Sequence, residues 1–270
     1  MVQRSDVGGI PGWLGATDQA ILRYILDDQS SGGVTGDLAE LGVYLGKSAV
    51  LLGDHLQPGE TFTVVDLFGG TAGDASNVAE NTAQYDDLTE VAFRANYQRF
   101  HDRLPVIIKG PSTAIRERAT AGAHRLVHID ASHLYEHVRA DVDTAKSLLG
   151  PDGVVVFDDY RSKHTPGTAA AVWEAVGRTG LVPLLVSPDK LYGTWSDPAA
   201  WQQRLRNWLP TSGLEHEEQV IARHPVLRVW SRAPQRTPAA RLGSAVTPPA
   251  LWRALYLGIR RITALRDARR

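Results

Sequence analysis

The sequence predicts an α/β fold: a mostly parallel, seven-stranded sheet with helices on both faces. Three observations predict it. Short runs rich in β-branched residues alternate with segments of helical apolar spacing. Acidic or glycine residues stand at the end of one run after another, at Glu40, Asp66, Gly110, Asp130 and Asp158–Asp159. The chain has 270 residues, 43% of them hydrophobic, enough for one sizeable core with decorations. Strands joined through helices run parallel and are covered on both faces. Ligands of such sheets bind beyond the carboxyl ends of the strands, the edge where these polar residues gather.

The elements follow in order. Thr17 can cap a helix through residues 20–26, where apolar residues recur at helical spacing. Residues 38–45 read as a buried strand ending in a glycine turn, and 47–56 as the next helix. Residues 61–68 form a second strand. The polar stretch from Gly69 to Asp87 has no period and reads as a loop, either a lid over the site or plain surface. Helical spacing returns over 88–100, and residues 105–110 and 125–130 are strands three and four. A helix over 133–149 closes at the turn Gly150–Gly153 before a fifth strand at 154–160. Residues 168–176 read as a helix, and 181–187 with 190–195 as a final strand pair. The pattern then weakens, with Trp201, Trp208 and Trp230 suggesting a packed extension. The expected domain covers residues 1–232, with its core at about 17–195. A proline-containing linker (233–249) and a basic amphipathic helix (250–270) follow it. That helix suits packing on a second subunit, hence a homo-oligomer such as a dimer, or a lipid headgroup surface.

Composition excludes several classes. A net charge of -1 gives no field that would gather nucleic acid or membrane. No cysteine is present, so there is no disulfide framework and no thiolate metal site, which fits a reducing cytoplasm. The first residues lack a basic stretch followed by an apolar run, so no secretory signal is read there. No stretch reads as a transmembrane segment.

Residues 40–48 leave a strand, turn on Gly42 and Gly46 and enter a helix at Lys47 and Ser48. Glycine lets the backbone approach a ligand closely, and a helix start offers N–H donors. A dinucleotide site would want G-x-G-x-x-G, whereas here an acid precedes the glycines as E-x-G-x-x-x-G. Asp66 ends the next strand, where a carboxylate can bind both hydroxyls of a ribose. At the same edge Asp130, Asp158 and Asp159 bring three carboxylates together, which repel one another unless a cation neutralises them. Oxygen ligands suit Mg²⁺, Mn²⁺ or Ca²⁺ over zinc. Each acid also has a plainer use, Asp130 as a helix cap and Asp158–Asp159 as solvated turn residues. His133 follows Asp130 by three positions, with His128, His137 and His164 nearby. His128 lies within the strand and His137 one turn along the helix, so His133 is the better-placed base.

On these residues the chain resembles the class I S-adenosylmethionine (SAM)-dependent methyltransferases. Within them it looks like the metal-dependent sugar O-methyltransferases of macrolide and aminocoumarin biosynthesis. The resemblance covers roughly Leu38 to Trp195 and rests on ELGVYLGKSAVLL (40–52), VVDLFGG (64–70), the long block from His128 to Tyr160 and the following PG (166–167). It implies a Rossmann-like class I methyltransferase fold. It implies that Glu40, Gly42 and Ser48 contact the methionine part of SAM and Asp66 the ribose. Tyr44, Ser112 and Asp130 complete the expected cofactor set. It also implies Mg²⁺ (or Mn²⁺) on Asp130, Asp158 and Asp159, with His133 as general base. A metal stabilises the developing alkoxide of a sugar hydroxyl, and a histidine takes its proton. The expected acceptor is a glycan or glycosylated metabolite, such as an antibiotic deoxysugar or a mycobacterial polysaccharide, touched by Tyr160, Arg161 and His164. Two rivals remain: a catechol-type metal-dependent O-methyltransferase, which wants aromatic walls, and a non-catalytic SAM-binding scaffold.

Overall fold

The computed structural model describes residues 4–70 and 88–232. The loop at 69–87, from residue 71 on, the linker and the C-terminal helix lie outside the described residues. Five of the β-branched runs become parallel strands: β1 (Asp37–Leu41), β2 (Phe62–Asp66), β3 (Val106–Lys109), β4 (His124–Ile129) and β5 (Leu149–Phe157). β6 (Val182–Val186) and β7 (Leu191–Thr194) form the expected last pair, and β7 lies antiparallel between β5 and β6. The sheet order is β3-β2-β1-β4-β5-β7-β6-β9-β8. From β1 the chain winds outward to β3 and then returns to lay β4 on the other side of β1. The carboxyl ends of β1 and β4 therefore frame the crevice where the winding reverses.

Alternation along the strands builds one core on each face. Leu38, Phe62, Val64, Leu126, Val154 and Val156 face helices α1 (Ala16–Ser31), α2 (Lys47–Gly53), α3 (Glu90–Gln98) and α6 (Pro198–Trp208). Ala39, Leu41, Val65, Val127, Val155 and Phe157 face α4 (Tyr135–Leu148) and α5 (Pro166–Thr179). Each such Val, Leu or Phe side chain, fully buried, contributes about 1.5–3 kcal/mol. Local chemistry sets the helix ends. Thr89 caps α3 by accepting from Ala92 N, Asp197 caps α6, and α5 opens on Pro166 and closes at Gly180 in the left-handed region. Thr17 does not cap α1. It lies inside the first turn, and Gly15 holds the cap position.

Among the described residues the sheet has nine strands where seven were expected, because β8 (Leu214–Ile221) and β9 (His224–Ser231) add a hairpin beyond β6. Their turn carries no hairpin signature: Ala222 and Arg223 hold φ of +50° and +71°, where glycine or asparagine is usual. β8 is an edge strand with a polar sequence, so it lacks the alternation of a half-buried strand. The stretch Gly150–Gly153 is also no simple turn. It bulges within β5, whose pairing to β4 jumps from Leu149 to Val154.

One buried ion pair ties the far end of the sheet together. Arg125 on β4, 1% exposed, donates to both carboxylate oxygens of Glu60, to Gln29 Oε1 and to the carbonyl of His55. Arg125→Met would strand a buried carboxylate. Removal of one partner of such a pair costs about 3–5 kcal/mol. Urea unfolding should show that loss, and Arg125→Met/Glu60→Gln should recover much of it. A single variant within about 1 kcal/mol of wild type would show that solvent reaches Glu60.

Candidate active site at the strand carboxyl ends

The turn after β1 runs through Gly42 (φ +81°), Tyr44 (φ +46°) and Gly46 (φ +92°). A Cβ at position 42 would lie 2.1 Å from the carbonyl oxygen of Asp130, so only glycine lets the β1 turn pass the end of β4. Asp66 holds this turn in place. Its Oδ2 accepts from Val43 N at 2.8 Å and Tyr44 N at 3.2 Å, and its Oδ1 from Phe68 N at 2.8 Å. Burial raises its pKa, against the opposing pull of those three N–H groups.

A cavity of about 340 Å³ opens beside this turn. Six of the expected site residues line it: Tyr44, Ser48, Asp130, His133, Asp158 and Asp159. Glu40, Gly42, Asp66 and Ser112 are not among its lining residues. Glu40 is wholly buried on β1; its Oε1 meets His128 Nδ1 at 2.7 Å, while its Oε2 has no hydrogen-bond partner among the described residues. Ser112 opens a 3₁₀ turn after β3.

Backbone ladders aim the acids. Asp130 N donates to Leu41 O at 2.7 Å, and Asp158 N to Ile129 O at 2.9 Å, which sets the two carboxyls side by side at the crevice. Burial, and next the charge of Asp158, hold the Asp130 carboxyl well above the usual carboxylate range. Two such carboxyls share a proton or gather a cation. Asp130 does not cap α4, whose cap position is Leu134. His128, not Asp159, joins them: donor atoms of His128, Asp130 and Asp158 lie within 4.8 Å of one another. The carboxylates fit a hard divalent ion by donor chemistry, and the imidazole adds a ligand that Mn²⁺ accepts more readily than Mg²⁺.

Asp159 turns elsewhere, with φ of +52°. Its Oδ2 lies 3.2 Å from His133 Nε2, and it accepts from Ser162 Oγ. Burial would raise its pKa, but the hydrogen bonds from His133 and Ser162, with the charges of His133 and His164, prevail and bring it to about 2. An ionised carboxylate beside an imidazole is the base-and-orienter arrangement. The His164 ring stands edge-on to that of His133 at 6.3 Å and lines the same cavity.

Two contributors escaped the sequence reading. Lys190, from the β6–β7 turn, pairs with Asp158 and lies 3.2 Å from His128 Nε2. Its only signal was that it is one of five lysines in a chain whose other basic residues are arginines. The segment Pro11–Leu14 forms part of the cavity wall, where Trp13, 73% exposed, stacks on Tyr44 at 5.4 Å. No helix among the described residues is long and apolar enough to cross a membrane.

Residues 39–160 match the family described as a methyltransferase domain, so the resemblance to class I methyltransferases holds over that segment. The fold is similar to that of the O-methyltransferase NovP. The two are 21% identical, with a TM-score of 0.53 over 68% of this chain and 81% of that one. Lower similarity is found to CalS11, a TDP-rhamnose 3'-O-methyltransferase of calicheamicin biosynthesis. Its identity is 20% and its TM-score 0.43, over 66% of this chain and 76% of that one. The mycinamycin-pathway methyltransferase MycE, solved with Mg, SAH and mycinamycin VI, is 15% identical, with a TM-score of 0.45 over 73% of this chain and 56% of that one. No curated protein sequence matches the chain significantly.

Proposed function

We propose that this chain, with its methyltransferase domain, is a SAM- and Mg²⁺-dependent O-methyltransferase of a sugar hydroxyl, with His133 as general base. One observation carries the proposal: His133, paired to Asp159 at 3.2 Å, lines the same cavity as Asp130 and Asp158. SAM, when bound, supplies a methyl group on a sulfonium, so the C–O bond forms as the C–S bond breaks and a neutral thioether departs. A divalent ion on Asp130 and Asp158, when bound, supplies charge to stabilise the acceptor oxygen. His133 takes the hydroxyl proton on its ring nitrogen, and Asp159 stabilises the imidazolium that results. The Gly42 turn and Asp66 hold the cofactor side rigid, and the cavity wall aligns acceptor and methyl donor.

A transfer screen with tritiated SAM against sugars, glycosylated metabolites and catechols, with and without EDTA, tests the proposal. Label on a sugar oxygen only without EDTA supports it. The Trp13–Tyr44 stack favours a second reading, a catechol-type acceptor. Label on catechols alone would establish that reading instead.

Asp66→Ala should weaken SAM binding by about 1.5–3 kcal/mol, the worth of hydrogen bonds to a charged group. Calorimetry measures it, and unchanged affinity would remove Asp66 from the cofactor site. The melting temperature should fall as well, because Val43, Tyr44 and Phe68 lose their acceptor.

A further inference from the structure

The carboxylate cluster holds a cation of the protein's own. Lys190 is 1% exposed, and its ammonium pairs with Asp158 and lies 3.2 Å from His128 Nε2. A tight turn fixes it there. Lys190 N donates to Ser187 Oγ at 2.8 Å, and Ser187 N donates to Lys190 O at 2.9 Å. The next residue, Leu191, pairs with Phe157 across β7 and β5, so the lysine emerges one step from Asp158. The negative charges of Asp158, Asp130 and Asp18 act on the ammonium in this buried position. A buried ammonium persists only where such partners surround it. A divalent ion seated on Asp130 and Asp158 would meet the same oxygens and a like charge.

We infer that Lys190 is the resident counter-ion of Asp130 and Asp158, and that it opposes divalent-ion binding by contesting Asp158. The inference concerns the site of the proposed reaction and rests on that proposal for its consequence in turnover. There, the ion must displace the ammonium, so Lys190 sets how much free metal half-saturates the site. The physical basis is separate: one positive charge, fixed by a turn, against two carboxylates.

The test is Mn²⁺ binding to the full chain, followed by the paramagnetic resonance of free Mn²⁺. Lys190→Met should bind Mn²⁺ at least about tenfold more tightly than wild type, because removing one charge at contact distance outweighs that factor. Lys190→Met/Asp158→Asn should lose the gain. Equal or weaker binding by Lys190→Met overturns the inference, and so does submicromolar binding by wild type, an arm that needs no variant to fold. The melting temperature of Lys190→Met should fall in metal-free buffer and recover in millimolar Mn²⁺. If it stays unfolded there while the double variant folds, a divalent ion cannot stand in for the ammonium, and the inference fails. Undiminished methyl transfer by wild type in EDTA would sink the metal dependence proposed above and leave the comparison of Mn²⁺ affinities standing.

Discussion

Replacing His133 by alanine is expected to lower kcat by about 10²–10⁴-fold, the usual contribution of a positioned general base. SAM affinity should stay near wild type, because the Gly42 turn and Asp66, proposed for the cofactor side, are held by hydrogen bonds that do not involve His133. The wild-type rate should rise with pH as an imidazole loses its proton, and the variant should lack that limb. Asp159 cannot supply the limb, since its partners keep its carboxyl down at about 2, ionised throughout the working range. Asp159→Asn should lower kcat less than His133→Ala, because it removes the proposed orienter and leaves the proposed base. His128→Ala and His137→Ala are the comparisons. His128 bonds Glu40 and Lys190 and serves the cluster, and His137 lies a turn along α4. Steady-state kinetics with melting temperatures beside them decide the matter. A folded His133→Ala within about threefold of wild type would move the role to another group.

EDTA is expected to remove turnover, and Mg²⁺ or Mn²⁺ to restore it. The motive is the placement of Asp130 beside Asp158, where burial and mutual repulsion hold the Asp130 carboxyl far above its usual range. A divalent ion would reverse that pressure by favouring both ionised carboxylates. Asp130→Asn should keep the fold and raise the metal concentration needed for half-maximal rate, because one charged ligand is lost. Initial rates against free metal, after exhaustive chelation, give the answer. Full turnover in metal-free buffer would leave Lys190 as the cluster's cation and the hydroxyl activated by His133 alone.

Much of this site was legible in the chain order. The apolar runs end where polar residues begin, which places Asp66, Asp130 and Asp158 at one sheet edge. The E-x-G-x-x-x-G spacing was equally legible, since left-handed backbone beside a strand end demands glycine at position 42. The β8–β9 hairpin was not, because its turn residues, Ala222 and Arg223, take a conformation their types disfavour.

What the sequence determined by itself is therefore local: the first seven strands, helix faces, the glycine turn, and the acids at the strand ends. These follow from side-chain period and backbone sterics, which act over a few residues. Only the tertiary structure decided which groups meet. Glu40 and His128 are 88 positions apart and bond because β1 lies between β2 and β4 in register. Asp158 and Asp159 are neighbours in sequence, yet one joins the Asp130 cluster and the other turns to His133 at a left-handed φ. Lys190 reaches Asp158 because β7 inserts antiparallel beside β5 and carries its turn to the same edge. Register and strand order are properties of the whole sheet, and a slip of one residue would send each of these side chains to the opposite face.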